Sequence, residues 1–276
     1  MGVAPGGGPQ GPRAAAHFRF DPRIARLLGE GYRSSELALK ELVDNAWDAD
    51  AGRVDVALPR PFTDDPIVVR DDGAGMTPEE VEREYLYVAS DRRARRGDYT
   101  PGGRRVKGRK GIGKFAGLMA ADTMVLDTCK AGRHTRLRVR TEDLAAAADL
   151  DAVDLPLDVA PCPHGEEGRE GNGHGCGTTV TLTGLNQRLA VPTAERLRPL
   201  LVFEYGRADG FRVDVDGARV DLADVPGPVF TAEAAVPEAG PTRLRVAIAE
   251  GKGAVRDPGV VFRVGGKVVG RASGSA

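Results

Sequence analysis

The sequence predicts an α/β fold followed by a strand-rich segment, on three observations. Stretches with helical spacing and stretches with two-residue alternation interleave up to about residue 206. From about Gly210 onward only alternating strands remain, in "FRVDVDGARV", "TRLRVAIAEG" and "VVFRVGGKVVG". The 276 residues are enough for one large domain or two modest ones with ordinary cores.

The elements follow in order. "MGVAPGGGPQGPRAAA" reads as a disordered lead over residues 1–19, because Gly and Pro offer nothing to bury. "DPRIARLLGEGY" and "SSELALKELVDNAWDAD" predict two helices, the second capped by Ser34 or Ser35. "RVDVALP" alternates as a strand, and "PIVVRDDG" is a short buried strand ending in a turn. "TPEEVEREYLYVAS" has Thr77 as cap, Pro78 next and acids in its first turn, so it is predicted helical. The stretch from Asp91 to Gly108 lacks periodicity, which marks a functional lid or a disordered loop. "GIGKFAGLMAA" starts a helix from a glycine-rich turn, "TMVLDTCKAG" with "HTRLRVR" predicts a hairpin, and "GTTVTLTGL" is a further strand. Residues 145–175 read as a surface excursion, and "VPTAERLRPLLVFEYG" as a helix. The chain stops in "GRASGSA" soon after a strong strand, so the last unit is expected to be incomplete.

Composition narrows the class. Lys plus Arg number 39 against 40 Asp plus Glu, which gives no general push toward nucleic acid or membrane. The charge is uneven, however: ten Lys and Arg between Arg92 and Lys114 are opposed only by Asp98. No apolar run approaches the roughly 20 residues that span a bilayer, and the N-terminus lacks the apolar centre of a secretion signal. Three cysteines without a regular framework suit a reducing interior, so a cytoplasmic protein is expected.

Four segments carry chemistry. In "ELVDNAWDAD", Glu41, Asn45 and Asp48 fall within a sector about 60° wide on one helix, while Leu39, Leu42, Val43 and Ala46 cover the opposite side. Asn45 can give an oxygen to Mg²⁺, and Glu41 can orient and deprotonate a water. Alone, the triplet reads more simply as a solvated polar stripe. "VVRDDGAGM" ends a buried strand with Asp71 and Asp72, then Gly73 and Gly75. There a carboxylate can accept from an exocyclic amine, and the glycines admit a flat ligand. The plain alternative is an Asp-Gly turn. "GRKGIGKF" fits G-x-x-x-x-G-K, but Phe115 stands where a P-loop needs Ser or Thr for its metal, and no apolar strand precedes it. Glycines opening a helix still present free N–H groups to phosphates. In "CGTTVTL", Thr178 and Thr179 begin a strand, which alone means nothing.

In this order the four segments resemble the GHKL ATPase superfamily of gyrase B, the heat-shock chaperone, histidine kinases and mismatch-repair MutL. "ELVDNAWDA" matches its N box, "DDGAGM" its first glycine box, "GRKGIGK" its second and "GTTV" its threonine strand, over about residues 20–206. The resemblance implies the Bergerat fold, a two-layer α/β sandwich with helices on one face of a mixed sheet. It implies ATP and Mg²⁺ as ligands, with Glu41 as general base and Asn45 as magnesium ligand. Asp48 and Ala49 would sit in the pocket, Asp71 would read adenine, and Gly73, Gly75 and Met76 would shape its slot. Gly108, Gly111, Ile112, Gly113 and Lys114 would face the phosphates, and Thr178 would support the adenine site. Residues 91–110 take the place of the ATP lid, where the cations could screen the triphosphate, touch a partner or simply be solvated.

Within the superfamily, "ERLRPLLVFEYG" and the strands after it look like the start of a transducer unit over residues 207–276, of the kind in MutL and MORC proteins. Such a relative would be an ATP-driven switch whose two copies associate. Its transducer lysine is not identified, and Lys267, in a turn, is a poor candidate. A nucleotide-binding module with negligible turnover is the second reading. A histidine-kinase catalytic domain is the third, and it lacks a phosphoacceptor because His17 lies in a Gly/Pro-rich tail. The basic lid leaves nucleic acid open as a partner, and no protein client is indicated. Cys162, His164, His174 and Cys176 could bind zinc, although their one-residue spacings are unlike a knuckle. Cys129 and His134 are assigned to the hairpin with no chemical role.

Overall fold

In the computed structural model, residues 14–16, 19–20, 34–88, 97–108, 113, 116–146, 153–162, 177–185 and 191–273 are described, the last stretch apart from 207, 209, 222–223, 225–226, 238–239, 249–259 and 265–266. Helix α1 (Ser35–Asp48) forms where the spacing predicts. Ser34 caps it, its hydroxyl accepting the Leu37 N–H at 3.3 Å, and Glu36 lies in the first turn. Leu39, Leu42, Val43 and Ala46 are buried, and each such leucine contributes about 1.5–3 kcal/mol. The helix ends where Asp50 turns to φ 57°, a left-handed position.

Nine strands form one mixed sheet. In chain order they are β1 (Ala14–Ala16), β3 (Arg53–Ala57), β4 (Ile67–Asp71), β6 (Ala121–Lys130), β7 (Arg133–Arg140), β8 (Leu155–Pro161), β9 (Gly177–Leu185), β10 (Arg212–Val215) and β11 (Ala218–Arg219); β2 (Arg19–Phe20) pairs separately with β5 (Tyr87–Val88). The order across the sheet is β1-β8-β7-β6-β9-β4-β3-β10-β11, and only the β3–β10 pair is parallel. Alternation assigns the faces: Thr135, Leu137 and Val139 of β7 are buried, and Arg136, Arg138 and Arg140 between and beyond them are exposed. Over the buried face lie α1, the short α3 (Gly117–Ala120) and α5 (Ala194–Tyr205), whose Leu197 and Leu201 join the core. This is the two-layer α/β sandwich, with helices on one face.

Thr77 and Glu80 exchange the side-chain bonds of a capping box, so helix α2 starts as its sequence predicts. It spans Pro78–Glu80 and continues as a π-helical turn over Val81–Tyr85. The α4 helix (Thr141–Ala146) follows β7.

Within "GIGKFAGLMAA" the described helix is Gly117–Ala120, and residues 111, 112, 114 and 115 before it lie outside the described residues. Three expectations are corrected. Ala14–Ala16, within the lead expected to be disordered, pairs with Ala16↔Leu155 register on β8. β8 itself lies within the presumed surface excursion, and Leu155 and Leu157 are buried. β10 and β11, expected to open a separate unit over 207–276, belong to the main sheet, with Arg212↔Arg53 through Val215↔Val56 in register. Val213 and Val215 are buried in the same core, and alternation alone does not say which sheet a strand joins. Arg198 of α5 fixes the arrangement by donating to the Ala218 and Arg219 carbonyls at 2.7 and 2.6 Å. β12 (Val229–Val236) with β13 (Gly240–Ala247), and β14 (Val260–Val264) with β15 (Lys267–Ser273), form two further hairpins. The helix expected at "DPRIARLLGEGY" lies outside the described residues.

Residues 97–108, the second half of the expected lid, are docked on the fold. Trp47 packs edge-on against Phe211 with centroids 5.2 Å apart and lies 5.8 Å from Tyr205, and its indole N–H donates to the Arg105 carbonyl at 2.9 Å. Arg104 lies over Trp47 at 4.9 Å and donates to the Ala51 and Gly210 carbonyls, both at 2.6 Å. Lys107 bonds Glu204 and sits 3.7 Å over the Tyr205 ring. Burial lowers the pKa of both Arg104 and Lys107. These two cations therefore bind α5 and the aromatic cluster, a use the sequence did not suggest. Replacing the indole, Trp47→Ala, is expected to cost about 3–5 kcal/mol, read as a lower urea midpoint.

Candidate functional site

Three loops meet at the C-terminal half of α1. Asp48, 4% exposed, accepts the Lys107 N–H on Oδ1 at 2.8 Å and the Gly108 N–H on Oδ2 at 2.9 Å. It therefore clamps the entry to the glycine segment. The Ala49 carbonyl accepts the Ala74 N–H at 2.9 Å, which ties the first glycine box to the same helix end. Asp50 accepts from the Thr100 hydroxyl and, at 2.8 Å, from the Gly102 N–H.

The adjacent acids in "RDDG" separate cleanly. Asp72 Oδ1 accepts the Gly52 and Arg53 N–H groups at 2.7 and 2.8 Å, so it staples the start of β3. Asp71 accepts the Gly73 N–H on Oδ1 at 2.9 Å. Its carboxyl is walled by protein but not sealed from solvent. Burial pushes its pKa up to about 7, against the backbone N–H groups of Gly73 and Thr178, which pull it down. A carboxyl held in that condition suits a ligand that donates a hydrogen bond.

The glycines are required by contact. A Cβ on Gly75, at φ 61°, would stand 2.0 Å from the Cys129 carbonyl oxygen, and one on Gly73 would meet the Ala49 carbonyl at 2.8 Å. The Met76 N–H donates to the Thr128 hydroxyl at 2.9 Å, and that hydroxyl lies 3.1 Å from the Thr178 hydroxyl. Buried Thr128 thus joins the glycine box to the threonine strand. Sequence reasoning missed it; its position on β6, directly across from Thr178, was the only signal.

Nearer the start of α1 than Asp48, Glu41 and Asn45 are half-buried on the same helix. A Cβ on Gly113 would fall 2.2 Å from Glu41 Oε2, so the second glycine box passes directly over this carboxylate. Burial and then the nearby Asp44 raise the Glu41 pKa. Asp44 itself accepts from the Tyr205 hydroxyl and from Lys40 at 2.9 Å. Asn45 follows Glu41 by one turn on the same helix. Gly111, Ile112 and Lys114 lie outside the described residues, as do His164, His174 and Cys176. Of the zinc candidates, Cys162 is placed against Cys129, and no group of three or more metal-binding side chains occurs among the described residues.

The raised Asp71 pKa has a stability consequence. Unfolded, the carboxyl ionises near its ordinary 3.8; folded, it holds its proton to about 7. Between those values the unfolded chain releases a proton that the folded one keeps, so stability falls as pH rises through the window and then levels. Asp71→Asn is expected to match the unsubstituted chain near pH 4 and to be roughly 1–3 kcal/mol more stable at pH 8, read by urea unfolding at both pH values.

Comparison with known proteins agrees with this geometry. Residues 32–165 match the family model "Histidine kinase-, DNA gyrase B-, and HSP90-like ATPase". The chain is also 38% identical over 114 residues to the "Putative type II restriction enzyme HgiDII" of Herpetosiphon aurantiacus, an alignment that covers 41% of this chain and 18% of that protein. The chain therefore spans less than a fifth of that relative's length. No helix among the described residues is long and apolar enough to cross a membrane. Such a domain supports ATP binding in general. Over residues 32–165, this chain carries a GHKL-type domain of the histidine kinase-, DNA gyrase B- and HSP90-like ATPase family.

Proposed function

We propose that the chain binds ATP with Mg²⁺ in the cleft between Asp71 and Glu41 and hydrolyses it slowly, acting as a conformational switch of MutL- or MORC-like type. The observation that carries this reading is the placement of the Asp71 carboxyl at the first glycine box together with the Glu41 carboxylate directly beneath Gly113 of the second. Asp71 in its ionised form accepts from the adenine amine, and Gly73, Gly75 and Met76 hold the flat ring, backed by Thr128 and Thr178. Gly111, Ile112, Gly113 and Lys114 present backbone N–H groups to the phosphates, while the Gly108 N–H, expected to join them, is taken by Asp48. Asn45 is the residue that would hold Mg²⁺, which supplies charge neutralisation to the phosphate oxygens. Glu41, its pKa raised by burial, is suited to take a proton from the attacking water. Asp48 and Ala49 act by holding the loops in register.

Association of two copies on ATP binding, with hydrolysis separating them, completes the switch. The strands after α5 offer the transducer part, although β10 and β11 are already built into the ATPase sheet. The restriction-enzyme relative supports a role in DNA handling, and the composition agrees with a cytoplasmic setting.

Glu41→Ala is expected to keep ATP affinity within about threefold while turnover falls at least about 100-fold, measured by calorimetry and phosphate release. Hydrolysis at the unsubstituted rate would remove the general-base role. Light scattering checks the second part: with ATP and magnesium the same variant should accumulate as a dimer, and a chain that stays monomeric with nucleotide bound would contradict association.

A further inference from the structure

The β6–β7 hairpin turns through Ala131 and Gly132, at φ 50° and 70°. β8 lies beside β7, with Pro161 opposite Arg133, and the next residue folds over the hairpin as the Cys162 N–H donates to the Gly132 carbonyl at 2.8 Å. This sets Cys162 Sγ 2.8 Å from Cys129 Sγ. Neither sulfur is in a disulfide, and Cys129 is buried while Cys162 is only partly so. Backbone pairing on both sides holds the two positions: Cys129 lies between His134 of β7 and Gly177 of β9. Residues far apart in sequence are thus kept in reach of a covalent bond by the sheet, with no loop closure left to drive.

We propose that Cys129 and Cys162 form a thiol-oxidation site, which a small disulfide of the oxidised-glutathione class converts to an intramolecular disulfide. The more accessible Cys162 reacts first: its thiolate attacks the small disulfide, forming a mixed disulfide and expelling one small thiolate. Cys129 then loses its proton and attacks the Cys162 sulfur, expelling the second. Two protein thiols and one small disulfide become one protein disulfide and two small thiols, so the two electrons pass to the small disulfide. The bond straps the end of β8 to β6, the strand whose Thr128 backs the first glycine box, without occupying the cleft. This inference stands apart from the nucleotide reading, since the two thiols and their backbone contacts owe nothing to it.

The test treats the full native chain with oxidised glutathione, blocks free thiols and maps the peptides. Cys176 is the competitor to separate, since it precedes Gly177, the β9 partner of Cys129. The expected result is a Cys129–Cys162 linked peptide with the loss of two hydrogens, and a thermal midpoint higher by about 5 °C that dithiothreitol reverses. Cys162→Ser should abolish both changes and Cys176→Ser should leave both intact. The proposal is overturned if the native chain keeps Cys129 and Cys162 unlinked under conditions where the urea-unfolded chain forms disulfides, or if the native link runs mainly through Cys176.

Discussion

The end of α1 is the constraint on which the cleft depends. Four consecutive residues there each hold a different piece of chain: Trp47 the Arg105 carbonyl, Asp48 the amides of 107 and 108, Ala49 the amide of Ala74, and Asp50 the turn at 100–102. A helix terminus has unsatisfied carbonyls to offer, and a buried carboxylate that accepts two amides makes stronger bonds than a neutral group would. Both glycine boxes are therefore referenced to one rigid element. Their separation is set by the geometry of the helix and not by the loops themselves.

Much of this was legible in the sequence. The spacing of Leu39, Leu42, Val43 and Ala46 gave the buried side of α1, and Thr77 with Pro78 and Glu80 gave the capping box. The four motifs pointed to a cleft because each supplies a different kind of group at a helix face, a strand end or a glycine turn. What stayed hidden was long-range. Nothing local shows that Val213 and Val215 complete the first sheet, since alternation marks a strand and not its neighbour. The roles of Asp71 and Asp72 could not be divided by sequence order alone; the division appears only when Asp72 meets the amides of residues 52 and 53. The resemblance put Asp48 at the pocket but did not show that the backbone at 107–108 takes up both its oxygens. The basic segment was read as free charge, while Arg104 and Lys107 are spent on Trp47, Phe211 and Tyr205.

Two carboxyls in the cleft sit in surroundings that disfavour their ionised forms, Asp71 and Glu41. Most other acids of the fold have found amides or cations, as Asp72, Asp127 and Asp224 have. A fold optimised only for stability would not leave these two carboxyls so placed, and a site for an amine donor and a reacting water benefits from both.

The grip of α5 has a mechanical consequence. Its last turn holds Asp44 through Tyr205 and Lys107 through Glu204, and within a few residues the chain enters β10. Tilting α5 must therefore either drag the base of the second glycine segment along or rupture a charged contact and a ring-stacked ammonium. Torque applied to β10 reaches α1 through Tyr205 and Asp44, and the same lever works in reverse.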